Sequence, residues 1–318
     1  MAQSGSYNFT VSRDNLINDA LRRIGSLGEG ETASANGLTE AARILNMIIK
    51  LREADGMPAW AIKRGYILPV TGVSSINTDS HVVEDYNVTT LTSTAASAAT
   101  TIEVTSNSGI AASDQIGIEQ SSGTMQWTTV SAIASSVLTL ASALTGAAAD
   151  GGRIFTYTAS SDRVKKPLRI IDYNILNVGD NTSYPINGIT SSEYYSLGSR
   201  TSTGTPNQMY YTIRPSSDTA LETNGQLFFY PRFSDGDKIV EFSYVRPFQD
   251  FDAATDDPDF PQAFFLPIML ELAAHLGAEK GVPIPERQLL LKEALVYWNL
   301  ALETVVEEGS YRIVPDVR

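Results

Sequence analysis

Apolar residues recur at helical spacing at both ends of the chain and at strand spacing through its middle. Leu16, Ile17, Ala20, Leu21 and Ile24 follow an i, i+3/i+4 pattern, behind a cap residue at Ser12 and ahead of a terminating Gly25. A Gly28-Glu29-Gly30 turn leads to a second helical run, Leu38, Ala41, Leu45, Ile48 and Leu51, which stops at Asp55-Gly56-Met57-Pro58. From Tyr66 the period falls to two. Residues 66–70, 101–104, 115–119, 126–130, 137–140 and 154–157 read as short strands divided by Ser, Thr, Gly and Asn turns, the pattern of a small antiparallel barrel or sandwich. Residues 168–172, 209–213, 226–230 and 238–244 add a second set, and Thr190 with Glu193 has capping-box spacing for a short helix. Helical spacing returns after Pro261, with Phe264, Ile268, Leu272, His275 and Leu276 on one face. It returns again after Pro285, with Leu289, Leu290, Ala294, Tyr297, Trp298, Ala301 and Val305, until Gly309.

Neither helical end carries enough apolar surface to make a core alone. The expected fold class is therefore α+β: a four-helix bundle formed by the N- and C-terminal segments, with a long antiparallel β insertion made of a small β-barrel or sandwich module and a second β unit. The expected boundaries are 1–64 and 246–308 for the bundle, 65–160 for the inserted module, 161–245 for the second β unit and 309–318 for a C-terminal arm.

Composition narrows the chemistry. A chain of 318 residues buries roughly 70–75% of its unfolded surface without a staple. It has no cysteine, which excludes thiol catalysis and Cys-type zinc, and only two histidines, His81 and His275. Mean hydropathy is −0.09, no apolar run approaches the ~20 residues of a membrane span, and the first residues lack the regions of a signal peptide, so cytoplasmic synthesis is expected. Net charge is −13, against the clustered Lys and Arg of a protein that grips nucleic acid. Between Arg64 and Arg153 there is no Lys or Arg, while Asp79, Glu84, Asp85, Glu103, Asp114, Glu119 and Asp150 fall there, which marks a separate module.

Candidate sites resolve into ordinary structural roles. His275 reads as a core or interface histidine. His81, beside Glu84 and Asp85, reads as part of a solvated loop rather than a glycosidase carboxylate pair. Asp252, Asp256, Asp257 and Asp259 lack calcium-loop spacing and suit a helix start. Gly28-Glu29-Gly30 is no phosphate loop, since no GK[ST] follows. Trp127 and Tyr157 read as strand core rather than sugar-stacking platforms. No catalytic, metal or cofactor-binding residue and no cofactor is expected. The tail is different: Tyr311, Ile313, Val314 and Val317, with Arg312 and Arg318, are anchors on a segment with no fold of its own, as in a docking peptide.

Three passages carry a family likeness. They are Asp14-Asn15-Leu16-Ile17-Asn18-Asp19-Ala20-Leu21-Arg22-Arg23-Ile24-Gly25; Gly204-Thr205-Pro206-Asn207-Gln208-Met209-Tyr210-Tyr211 with Gly225-Gln226-Leu227-Phe228-Phe229-Tyr230-Pro231; and Phe260-Pro261-Gln262-Ala263-Phe264-Phe265 with Leu270-Glu271-Leu272-Ala273-Ala274-His275-Leu276. In this order they resemble the head-to-tail adaptor (connector) proteins of short-tailed bacteriophages, tail tubular protein A type. The likeness covers the helical ends and about 165–310; the block from about 72 to 160 falls outside it. It implies a structural virion protein without enzymatic activity, located in the neck between head and tail after synthesis in the host cytoplasm. It further implies a ring, usually twelve-fold, beneath the portal protein, which extends the DNA channel and seats the tail nozzle or tubular protein, with tail fibres as a further partner. DNA passes without specific binding and no membrane is involved. The C-terminal segment of such adaptors reaches the portal, which makes Tyr311, Arg312, Ile313, Val314, Val317 and Arg318 the expected portal-binding residues. Two other functions stay open: a tail-associated cell-wall glycosidase, and a glycan- or receptor-binding tail protein acting through the inserted β module.

Overall fold

The computed structural model describes residues 5–6, 9–55, 61–213, 225–234 and 236–304. In chain order, helices α1 (Arg13–Arg23) and α2 (Ala35–Asp55) precede strands β1 (Ile62–Ile67), β2 (Ser75–Asn77), β3 (Val82–Val83), β4 (Asn87–Thr90), β5 (Thr101–Glu103), β6 (Gln115–Glu119), β7 (Met125–Ala134), β8 (Val137–Leu140) and β9 (Arg153–Tyr157). Next come β10 (Arg169–Asn177), β11 (Thr182–Pro185), β12 (Asn187–Gly188), a short helix α3 (Ser191–Ser196), β13 (Thr203–Gly204), β14 (Gln208–Ile213), β15 (Gly225–Tyr230), β16 (Arg232–Phe233) and β17 (Lys238–Val245). Helices α4 (Phe265–Glu279) and α5 (Ile284–Glu303) are the last described elements. The chain divides into two compact units, Met1–Ala61 with Pro247–Arg318, and Ile62–Arg246.

The first unit is built around α4. Apolar residues cover most of its circumference, and Phe265, Ile268, Leu270, Leu272, Ala273 and Leu276 are all buried. Helices α1 and α2 pack on it, contributing Leu16, Ile17, Leu21, Leu45, Ile48 and Ile49. Ser12 is the N-cap of α1, but its side chain makes no capping bond. The expected fold class is corrected here. Among the described residues the chain is mostly β, with 17 strands in four sheets against five helices, and the terminal helices do not form a four-helix bundle. The physical reason lies in α5, which lies on α4 and buries only Ala294 and Ala301. Its apolar residues are spread around the helix, so helical periodicity alone did not show that most of them face away from a core.

The second unit holds all 17 strands. The order β4-β9-β6-β7-β8-β5 is closed into a barrel by an antiparallel bridge between Leu91 and Val104, flanked by backbone bonds from Thr92 to Glu103 and from Thr105 to Thr90. Ile102, Val104, Ile116, Ile118, Leu138, Leu140 and Ile154 fill the barrel at alternate positions, while Phe155 and Tyr157 pack outward with Leu68, Val83 and Ile239. The ends of the barrel segment meet where Val83 bridges Arg163. A five-stranded sheet, β11-β10-β17-β1-β3, and a four-stranded sheet, β12-β14-β15-β2, share a second core that includes Ile67, Ile175, Met209, Leu227, Phe229, Phe242 and Tyr244. Strands β13 and β16 form a short parallel pair. Helix α3 starts with the expected capping box: the Thr190 hydroxyl accepts from the Glu193 N–H, and the Glu193 carboxylate accepts from the Thr190 N–H.

Candidate functional site

Helix α5 is held in one orientation by a partly buried polar clamp. The Arg52 Nε donates to Glu271 Oε2 at 2.9 Å, with the Glu271 side chain only 5% exposed. The same guanidinium lies 4.8 Å over the Trp298 ring, and Phe264 meets Trp298 edge-on at 5.1 Å. With Trp298, Ala294 and Ala301 turned toward α4, a rotation of about 100° per residue places Leu289, Val296 and Leu300 within about 40° of one another on the opposite side. These three are 57%, 64% and 56% exposed. The sequence pattern grouped Leu289 and Tyr297 with the buried face; both are exposed. The usable signal was the seven-residue step from Leu289 to Val296 followed four residues later by Leu300, a helix-pairing spacing opposite the core-facing side.

The second polar feature is a joint between the barrel and the strands beneath it. His81 has φ +55° and is stacked on Trp127 with ring centroids 4.1 Å apart. Its Nδ1 lies 3.1 Å from the Tyr157 hydroxyl, and Trp127 Nε1 donates to the Pro69 carbonyl at 2.9 Å. Burial pushes the His81 imidazole down from 6.5 to about 4, and the nearby Arg163 charge adds to the effect. Burial also pushes the Tyr157 phenol up. His81 is thus packed among aromatics, not solvated as its loop position implied. Tyr157 is 1% exposed, and the partly buried Trp127 is committed to this joint, so neither presents an open sugar-stacking face.

His275 is exposed rather than in the core, because the outward stripe of α4 passes through it while its neighbours Ala274 and Leu276 point inward. The aspartates do not cap α4. Asp256 Oδ2 accepts from the Asp252 and Ala253 N–H groups, and Asp259 Oδ2 accepts from Gln249 N–H, so they shape the loop ahead of a 3-10 turn at Gln262–Phe264. Among the described residues no three His, Asp or Glu side chains are grouped to hold a metal ion, and no helix is long and apolar enough to cross a membrane. Tyr311, Arg312, Ile313, Val314, Val317 and Arg318 lie outside the described residues. No protein-family model and no curated protein matches this chain.

Proposed function

We propose that this protein is a structural head-to-tail adaptor of a short-tailed phage virion, a ring of copies seated beneath a portal protein, extending the DNA channel and carrying the tail nozzle below. The observation that supports this reading is the outward seam of α5. Leu289, Val296 and Leu300 stand opposite the helix's buried face, so no part of α4 can cover them, and exposed apolar side chains spaced along one side of a helix, on a chain of net charge −13, are a surface an assembly hides. A helix locked from behind by Arg52, Glu271 and Trp298 offers that stripe without further ordering, which lowers the entropic cost of association. The acidic balance suits a conduit, because phosphate attraction repeated around a ring would retard the duplex. The C-terminal arm, residues 309–318, is assigned to the portal.

Sedimentation velocity and end-on electron microscopy of the purified protein test the proposal. The expected species is a closed ring near twelve times 34.4 kDa. The triple variant Leu289→Glu, Val296→Glu, Leu300→Glu should keep its circular dichroism spectrum and sediment as a monomer. A chain truncated after Glu308 should form rings that fail to join DNA-filled heads. A wild-type protein that stays monomeric and ignores purified portal rings at high concentration would overturn the assignment.

A further inference from the structure

An open cleft of about 730 Å³ lies in the second unit where its five-stranded and four-stranded sheets separate. Its walls are unusual in being consecutive. Residues 168–174 line one side and Tyr211, Thr212 and Ile213 the other. A strand that turns one face to a cavity shows it only alternate residues; a strand that shows every residue presents its edge.

The pairing registers agree. Strand β10 pairs with β17 along its whole length, with a bulge between Ile170 and Asp172, but β11 covers only residues 174–177 of its other edge. Strand β14 pairs with β15 throughout, but β12 covers only Gln208 and Met209. Among the described residues, the outer edges at 169–172 and 211–213 therefore have no strand beside them. The chain between them crosses the floor of the cleft: the Ile186 N–H donates to the Tyr173 carbonyl, and the Ile189 N–H to the Met209 carbonyl. At one end the Tyr211 hydroxyl donates to the Pro167 carbonyl at 2.6 Å, tying the two walls together. Among the described residues the gap is thus built into the fold.

We infer that this cleft receives an extended peptide segment of another protein by strand addition to β10, with an acidic residue of that peptide at the Arg169 end. Main-chain donors and acceptors along two strand edges are met in register only by another extended backbone, which sets the class of ligand. Charge sets its direction. Arg169 is exposed on the wall, and Lys165 and Lys166 lie four and three residues before it, in a chain where basic residues are the minority. At the other end stands the exposed Asp172, whose carboxylate already accepts from the Ser243 N–H. Ile171 and Ile213, 46% and 42% exposed, flank the mouth and fit apolar side chains at alternate peptide positions. This inference does not depend on ring formation.

The full-length protein is titrated with a fluorescein-labelled heptapeptide, Glu-Glu-Val-Thr-Val-Thr-Val, and with its Lys-Lys counterpart, by fluorescence anisotropy. Amide exchange at residues 169–172 is followed in parallel. The acidic peptide should bind at least tenfold more tightly than the basic one and protect 169–172. Backbone N-methylation at every second residue should abolish binding in one of its two phases. Arg169→Glu, an exposed substitution, should reverse the preference between the two peptides. Binding that ignores N-methylation in both phases, binding without protection of 169–172, or no binding of the acidic peptide up to millimolar concentration would each refute strand addition by a foreign peptide. Protection of 169–172 that grows with protein concentration and needs no peptide would refute it too, by showing that a second copy fills the edge.

Discussion

Replacing His81 by Asn should flatten the acid side of this protein's stability profile. The imidazole titrates at about 4 in the folded chain against 6.5 when free, because protonation would place a charge between Trp127 and Tyr157 and near Arg163. With the folded value depressed, the unfolded chain binds the extra proton first. The stabilisation is whole above pH ~6.5 and is lost as pH falls to ~4. A difference of about 2.5 units at 1.36 kcal/mol each corresponds to about 3 kcal/mol. Asn suits the substitution because it tolerates the left-handed backbone at φ +55° and does not titrate. It loses the ring stack and the hydrogen bond shared with the Tyr157 hydroxyl, so it should be less stable than the parent at pH 7.5. Urea unfolding is followed by tryptophan fluorescence and by amide exchange in β7 and β9, at pH 7.5, 5.5 and 3.8. Between the extremes the parent should lose about 3 kcal/mol more than the variant, the carboxylates common to both cancelling. Parallel profiles would show that His81 titrates normally in the folded chain and that the aromatic joint does not exclude its proton.

Three further outcomes follow from packing. Arg52→Ala leaves the Glu271 carboxylate buried without its partner and should cost about 3–5 kcal/mol in urea unfolding of the helical unit, whereas Arg52→Met with Glu271→Leu should recover most of it. Gly117→Ala would place a Cβ 2.7 Å from the Trp127 ring, which the Pro69 bond and the His81 stack hold in place; a loss of about 1–3 kcal/mol is expected in thermal melts, and a neutral result would mean that the indole can shift. Residues 86–160 expressed alone should give a dispersed NMR spectrum and a cooperative melt, because the barrel closes on itself around its own core; a spectrum of a disordered chain would refute that autonomy.

The sequence was legible where structure is local. Alternation of Thr, Val and Ile located β5, β6, β8 and β9, and the Thr190–Glu193 box located α3, since each depends on residues within a few positions. Strands β2, β3, β12, β13 and β16, two or three residues each, are too short to show a period. Strand β1 begins at Ile62, ahead of the apolar run at Tyr66, because its first residues are kept extended by pairing with β17 rather than by their own pattern. The role of His81 was hidden for the same reason: its partners Trp127, Tyr157 and Arg163 lie 46 to 82 positions away. Helix α5 shows the converse difficulty, a local pattern that is clear but compatible with more than one buried face. The cleft beside β10 was invisible because it is made of missing neighbours, and only a register reveals those.

The pairing of β1 with β17, from Ile62 opposite Val245 to Ile67 opposite Val240, also fixes an order of events during synthesis. All of the barrel strands are translated between these two partners, so the barrel can close while β1 is still waiting. At about 5–20 residues per second, the stretch from Ile67 to Val245 takes roughly 10–35 s to emerge. For that interval the edge of β1 that will meet β17 stays unpaired on a nascent chain, even with β3 on its other side, and its most distant contact is the last to be rewarded. Lys63 and Arg64, adjacent on that strand and the last basic residues before the long acidic stretch, place charge on the waiting edge in the way that edge strands are commonly guarded against neighbouring chains.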